Sequence, residues 1–357
     1  MFEGRIMITV NPQFLEAPDF WITDWSDVNR FLDNLGGRVR TIGESQGGHP
    51  IRAVFYGDKE PVEHQTSRFS AQLAGHMEDF FECGQRTRPV ILVISTIHGG
   101  EVEGCAASIN LCSLLETGTD LRGRFWESLR ETAAAMRLVV VPVAQPDGRI
   151  RSAVRHLVGA TIEELVYYCH GEPKNPGAEP VDWNWFLRHH PVPVDDMEFL
   201  GGYFNDAGVN IDLDDFFSSK KAPETEALLD LARDEIPDCV VVLHTHGPGP
   251  FMSQPNHFVS QRCRYLQAQI GTVVGERHDR ENLRPAWRPT TQAHGATYFN
   301  LPTALHHVSG ALPLGFEFPH GFDRNPYTFD EIMDVGMTMF DELFQYVTKW
   351  RRLMNGL

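Results

Sequence analysis

Three stretches of this sequence place histidine or glutamate at the end of an apolar run. Residues 90–101 read VILVISTIHGGE, so His98 and Glu101 stand three apart across two glycines. Residues 240–246 read VVVLHTH and present His244, with His246 pointing the same way if the strand continues. Residues 314–321 read LGFEFPHG, with Glu317 between Phe316 and Phe318. A catalytic zinc site needs a few nitrogen and oxygen ligands and one open position. In open α/β sheets such sites gather beyond the carboxyl ends of the strands. His98, Glu101 and His244 form such a His, Glu, His set. A carboxylate on an apolar strand is costly to bury ionised unless something uses it, and a general base would be placed as Glu317 is.

Each element has an ordinary reading when taken alone. A lone HxxE is most often a loop histidine beside the acidic start of a helix. His244 alone suits a hydrogen-bonded structural histidine, and Glu317 alone a buried, bonded carboxylate. Glu103, two beyond Glu101, should point elsewhere if a helix begins here.

The elements that must position these residues follow from the apolar pattern. Runs at 51–57, 89–96, 137–143 and 238–245 read as strands, and 64–80, 101–116, 223–236 and 256–276 as helices. Continuous apolar strands separated by helices indicate a largely parallel sheet covered on both faces. A last long helix starts after Thr328, with Glu331 completing a capping box, and carries Ile332, Met339 and Leu343 on one stripe. Residues 156–207 differ, being rich in Pro, Gly, His and Trp with weak periodicity. Such a segment is either a substrate-facing insertion or a decorative loop, and its aromatic and basic residues suit a pocket wall.

The chain has 357 residues, 42% hydrophobic, enough for a large core. No long linker or repeat divides residues 60–330, so one large domain, 25–357, is expected behind an N-terminal extension, 1–24. The formal charge of −17 argues against a nucleic-acid or anionic-membrane partner. No apolar stretch approaches the ~18 residues of a membrane span, and the N-terminus does not read as a signal peptide. Six cysteines without a CxxC pair read as core thiols, which makes the cytoplasm the expected compartment.

In order along the chain, IGESQGGHPIRAVFYG (42–57), HGGE (98–101), QPDG (145–148), GVNIDLDDFF (208–217), LHTH (243–246) and GFEFPHG (315–321) resemble the zinc carboxypeptidase family of carboxypeptidase A type. The resemblance covers roughly residues 25–350. It implies a single α/β domain with a mixed, mostly parallel twisted sheet of about eight strands and helices on both faces. It also implies one Zn2+ per chain held by His98, Glu101 and His244, with Glu317 as general base, acting on a peptide or small amide. Glu317 would take a proton from water and return it to the leaving amine. An arginine usually steadies the oxyanion in such enzymes. Arg149, Arg151, Arg155 and Arg188 are on offer, with Arg155 the first choice and Arg151 a substrate-binding candidate.

The pattern breaks where the family grips a terminal carboxylate with an Asn-Arg pair. Asp212 and Leu213 stand there instead, and neither can replace a guanidinium fork. The family's mobile tyrosine would fall near Thr291, with Tyr298 close by. A different end group on the substrate is then open, including a cationic one met by Asp212, Asp214 or Asp215. A related group of N-acyl amino acid deacylases, resembling aspartoacylase and succinylglutamate desuccinylase, is the runner-up reading. A non-catalytic binding protein that keeps the fold is the alternative of another class.

Overall fold

The apolar runs do form the strands expected of them. In the computed structural model the residues described are 16–61, 71–72, 75–77, 86–152, 154–175, 183–253, 256–285 and 299–354. The strands are β1 (Val39–Glu44), β2 (Pro50–Tyr56), β3 (Val90–Ser95), β4 (Arg137–Val141), β5 (Gly171–Pro173), β6 (Met197–Leu200), β7 (Cys239–His246), β8 (Phe251–Met252) and β9 (Leu312–Pro319). The helices are α1 (Trp25–Asp33), α2 (Glu103–Thr117), α3 (Glu127–Ala134), α4 (Pro146–Ser152), α5 (Ile162–His170), α6 (Trp183–Arg188), α7 (Pro223–Glu235), α8 (Gln261–Arg280), α9 (Leu301–Ser309) and α10 (Phe329–Met354). The helix expected at 64–80 lies almost wholly outside the described residues.

Seven strands, where about eight were expected, form one sheet in the order β1-β2-β4-β3-β7-β9-β8. The central four, β4, β3, β7 and β9, are mutually parallel. β2 runs against β4, β1 against β2, and β8 against β9. Five of the seven therefore point the same way. β5 and β6 pair separately, as a two-stranded antiparallel ribbon within the 156–207 segment.

The strand pleat sorts side chains into two cores. Ile91, Val93, Val241 and Leu243 face a layer built from α1, α2, α3, α8 and α10. Leu92, Ile94, Val240 and Val242 face α7 and α9. Both faces are thus covered, which is why these strands are apolar at every position instead of alternating. Leu314, Phe316 and Phe318 of β9 enter the first core. Each such buried side chain is worth about 2–3 kcal/mol of transfer free energy. The alternate position, Glu317, is thereby sent to the opposite face, the face that also receives the side chain of His244.

α10 begins as its residues dictate. The Thr328 hydroxyl accepts from the Glu331 N–H, and the Glu331 carboxylate accepts from the Thr328 N–H, closing the capping box. Ahead of α1, Trp21 is 1% exposed and donates its indole N–H to the Arg155 carbonyl, so the residues before 25 contribute to the first core. Cys105, Cys112, Cys169 and Cys239 are buried free thiols.

Candidate active site

β3, β7 and β9 end side by side, and the chemistry-bearing residues leave from those ends. β3 runs out at Ser95 into the loop carrying His98 and Glu101, and α2 begins at Glu103. His98 and Glu101 are 5% and 3% exposed. His98 Nδ1 lies 3.0 Å from one Glu101 oxygen, and His244 Nδ1 lies 3.3 Å from the other. The ligand atoms of His98, Glu101 and His244 all fall within 4.8 Å of one another. Two ligands bound ~2.1 Å from a tetrahedral zinc stand about 3.4 Å apart, close to these separations.

The hydrogen bonds decide which imidazole nitrogen is offered. Asn210 Oδ1 accepts from the Asp212 backbone N–H at 3.0 Å, which identifies that atom as the amide oxygen. His98 Nε2, 3.0 Å from the same oxygen, must then be its donor. The other nitrogen, Nδ1, is left bare, and it is buried without a hydrogen-bond partner although it faces a carboxylate. An orphaned lone pair among two imidazoles and a carboxylate suits a zinc ion, and the outer hydrogen bond fixes the ring as zinc-binding histidines require.

The Glu103 expectation needs amending in part. Its carboxylate does turn away from Glu101, but it is fully buried, accepts from Thr245 Oγ1 at 2.7 Å and pairs with His320 Nδ1 at 3.1 Å. The Thr245 N–H in turn faces Glu101 Oε2 at 3.2 Å. The start of α2 and the end of β7 are thus strapped together on either side of His244. The glycines of HGGE also serve differently from a simple turn. A Cβ on Gly99 would lie 2.1 Å from the Gly148 carbonyl carbon, so the HGGE loop packs backbone to backbone on the first turn of α4.

Charges inside the site act on one another. Burial opposes the ionised Glu101, yet His98 and His244 hold its carboxyl well below the usual range. Burial alone would lower the His244 imidazole, but contact with Glu101 and the charges of Glu317 and Asp212 raise it to about 10. Glu317 is pushed upward by burial and by Glu101, against the pull of His244. Its Oε1 accepts from Ser253 Oγ at 3.2 Å.

A cavity of about 710 Å³ opens here, lined by His98, Glu101, Asp212, His244 and Glu317 together with Tyr203, His246, Asn256, Gln267, Asn300 and His320. Tyr203, from the 156–207 segment, stacks on the His98 ring at 4.0 Å. His190 of the same segment accepts the Asn210 N–H. That segment therefore supplies part of the wall.

The arginines are placed elsewhere. Arg155 is half exposed and pairs with Asp24 and Asp27 of the N-terminal residues. Arg151 bonds the Leu200 carbonyl and Asp206. Arg149 is buried and donates to the carbonyls of Gly99 and Val154. None of these three, nor Arg188, lines the cavity. Thr291 and Tyr298 lie outside the described residues. Sequence reading passed over Asn210, Tyr203, Ser253 and His320. Three of these had a signal, since Asn210 stands in GVNIDLDDFF, His320 in GFEFPHG and Tyr203 in the 156–207 segment.

Comparisons with known proteins bear on the family and the fold. Residues 35–180 match the sequence model of the zinc carboxypeptidase family. The fold is that of the metallocarboxypeptidases. A metallo-carboxypeptidase from Burkholderia cenocepacia superposes with a TM-score of 0.56 at 14% identity, covering 91% of this chain and 69% of that one. A Pseudomonas aeruginosa metallo-carboxypeptidase, solved with (2-guanidinoethylmercapto)succinic acid, gives 0.51 at 14% identity over 90% and 68%. Bovine thrombin-activatable fibrinolysis inhibitor gives 0.52 at 11% identity over 92% and 99%. No curated protein matches the sequence. Among the described residues, no helix is long and apolar enough to cross a membrane.

Proposed function

We propose that this protein is a zinc-dependent amide hydrolase of metallocarboxypeptidase type, acting on a peptide or small amide. The observation that carries this reading is the convergence of His98, Glu101 and His244 beside Glu317, the register partner of His244.

His98 and His244, through Nδ1, and Glu101 would hold the ion. A zinc ion bound there supplies Lewis acidity toward a carbonyl oxygen and acidifies water. The chain's own residues do the rest. Glu317, raised by burial, removes a proton from the attacking water and delivers it to the departing amine nitrogen. Ser253 Oγ holds the Glu317 carboxylate in one orientation. Asn210 and Tyr203 keep the His98 ring fixed from its edge and its face. The Glu103–Thr245 bond keeps the end of β7, and with it His244, in register with α2.

The test is a panel of amide and peptide substrates assayed with purified protein whose metal content is measured. About one zinc per chain, activity abolished by a chelator and restored by zinc, and turnover lowered by about 10²- to 10⁴-fold in Glu317→Gln are the expected results. Metal-free protein with full activity, or a Glu317→Gln variant that turns over as fast as the parent, would overturn the proposal.

A further inference from the structure

Among the described residues three carboxylates line the cavity, and two of them have partners that explain them. Glu101 belongs to the ligand set, and Glu317 receives the Ser253 hydroxyl. Asp212 has neither kind of role. It is more than nine-tenths buried, at 8% exposure, and lines the cavity, and its Oδ1 is buried with no hydrogen-bond partner. It also lies outside the set of three ligand residues. Its charge acts on His244, but a buried carboxylate oxygen without a hydrogen-bond donor is still costly to keep, and a donor arriving with the substrate would offset that cost.

Its position is fixed by the protein. Asp212 occupies the single helical turn Ile211–Leu213, and its N–H is held by the Asn210 oxygen that also holds His98. The carboxylate is thus two residues along from Asn210, which orients the proposed ligand His98, and it lines the same cavity. Among the described residues, no lysine or arginine lines the cavity, while neutral amides do, at Asn256, Gln267 and Asn300. A carboxylate-ended substrate would bring a like charge toward Asp212. An ammonium or guanidinium would make a charge-assisted hydrogen bond to it.

We propose that Asp212 selects substrates whose end group is cationic, an amide carrying a primary ammonium or a guanidinium close to the scissile bond. This rests on reading the site as an amide hydrolase.

Three matched probes test it: the N-benzoylglycyl amides of 1,4-diaminobutane, of butylamine and of 4-aminobutanoate, with ammonium, neutral and carboxylate ends. Binding is measured by calorimetry on zinc-loaded Glu317→Gln protein, so that turnover does not interfere, and amine release is measured on the unmodified protein. The expected result is that the ammonium probe binds at least ~10-fold more tightly than the carboxylate probe. Asp212→Asn in that background should bring the ammonium probe down to the level of the neutral one, leaving the neutral probe and the zinc content unchanged. Asp230→Asn, a surface change on α7, should leave the preference intact and so exclude a net-charge effect. Equal or tighter binding of the carboxylate probe overturns the proposal. So does an ammonium preference that survives Asp212→Asn, or a loss shared equally by the neutral probe. If Asp212→Asn fails to fold, the ranking of the three probes still decides. Ammonium selectivity without hydrolysis by the unmodified protein would remove the hydrolase reading and leave the Asp212 assignment standing. Hydrolysis without that selectivity would do the reverse.

Discussion

His244 and Glu317 are register partners on adjacent parallel strands, so their side chains leave the same face of the sheet at the same height. The relationship puts a proposed metal ligand and a buried carboxylate side by side without any loop to position them. Rigid strands place such groups more reproducibly than loops do.

Glu317→Gln should therefore separate binding from chemistry. The amide keeps the shape and can still accept from Ser253, but it cannot take a proton. Turnover is expected to fall by about 10²- to 10⁴-fold. Zinc content, measured by elemental analysis, should remain that of the parent, and a variant that loses zinc along with activity would count against a separate role for Glu317.

Asn210→Ala removes the acceptor that holds His98 Nε2–H. The ring can then turn or change tautomer, and zinc affinity should drop about 10- to 100-fold. Competition with a chromophoric chelator reads this directly. The same substitution should leave far-ultraviolet circular dichroism unchanged, because Asn210 packs at a turn and not in a strand.

Gly99→Ala tests the contact of the HGGE loop with α4. Its added carbon would stand 2.1 Å from the Gly148 carbon and 2.2 Å from the Arg149 nitrogen, so the HGGE loop must lift. Weaker zinc binding and a lower melting temperature are expected together. Unchanged affinity for zinc would show that the loop yields without moving His98 or Glu101.

Acid sensitivity has an identifiable contribution from His306. Burial lowers this imidazole to about 4, despite its bond to the Ala311 carbonyl. Because the folded value lies below the unfolded one, the unfolded chain takes up a proton that the folded chain refuses as pH drops below ~6.5. Stability is thus full above that pH and lost below it, by about 2 kcal/mol at pH 5 for this group. His244 and His320 are raised and act in the opposite sense, so the group is isolated by difference. Urea unfolding of His306→Asn at pH 7.5 and pH 5 should show an acid penalty smaller by that amount. An unchanged penalty would refute the assignment.

The sheet and the cluster of His98, Glu101 and His244 were legible because both rest on contrast within short stretches. VILVI and CVVVL are apolar throughout, which marks strands covered on both faces, and His98, His244 and Glu317 interrupt such runs at their ends. The outer strands were harder to read. β8 is two residues long and β1 only partly buried, so neither carries a strong apolar signal. The arginines illustrate the limit of nearness in sequence. Arg149, Arg151 and Arg155 follow QPDG closely, but their guanidinium groups go to backbone carbonyls and to Asp206, Asp24 and Asp27. Asn210 was passed over for the opposite reason, since an asparagine in GVNID looks like any turn residue until the chain folds back 112 positions to His98.

β7 lies between β3 and β9 both in the sheet and along the chain. A ribosome therefore delivers the site in stages: His98 and Glu101, then His244, and Glu317 last. A nascent chain paused before β9 would already possess every proposed ligand, yet it would lack the proposed base and leave one edge of β7 bare. The strand that closes this edge also brings the base, so early metal capture need not bring early cleavage of neighbouring peptides.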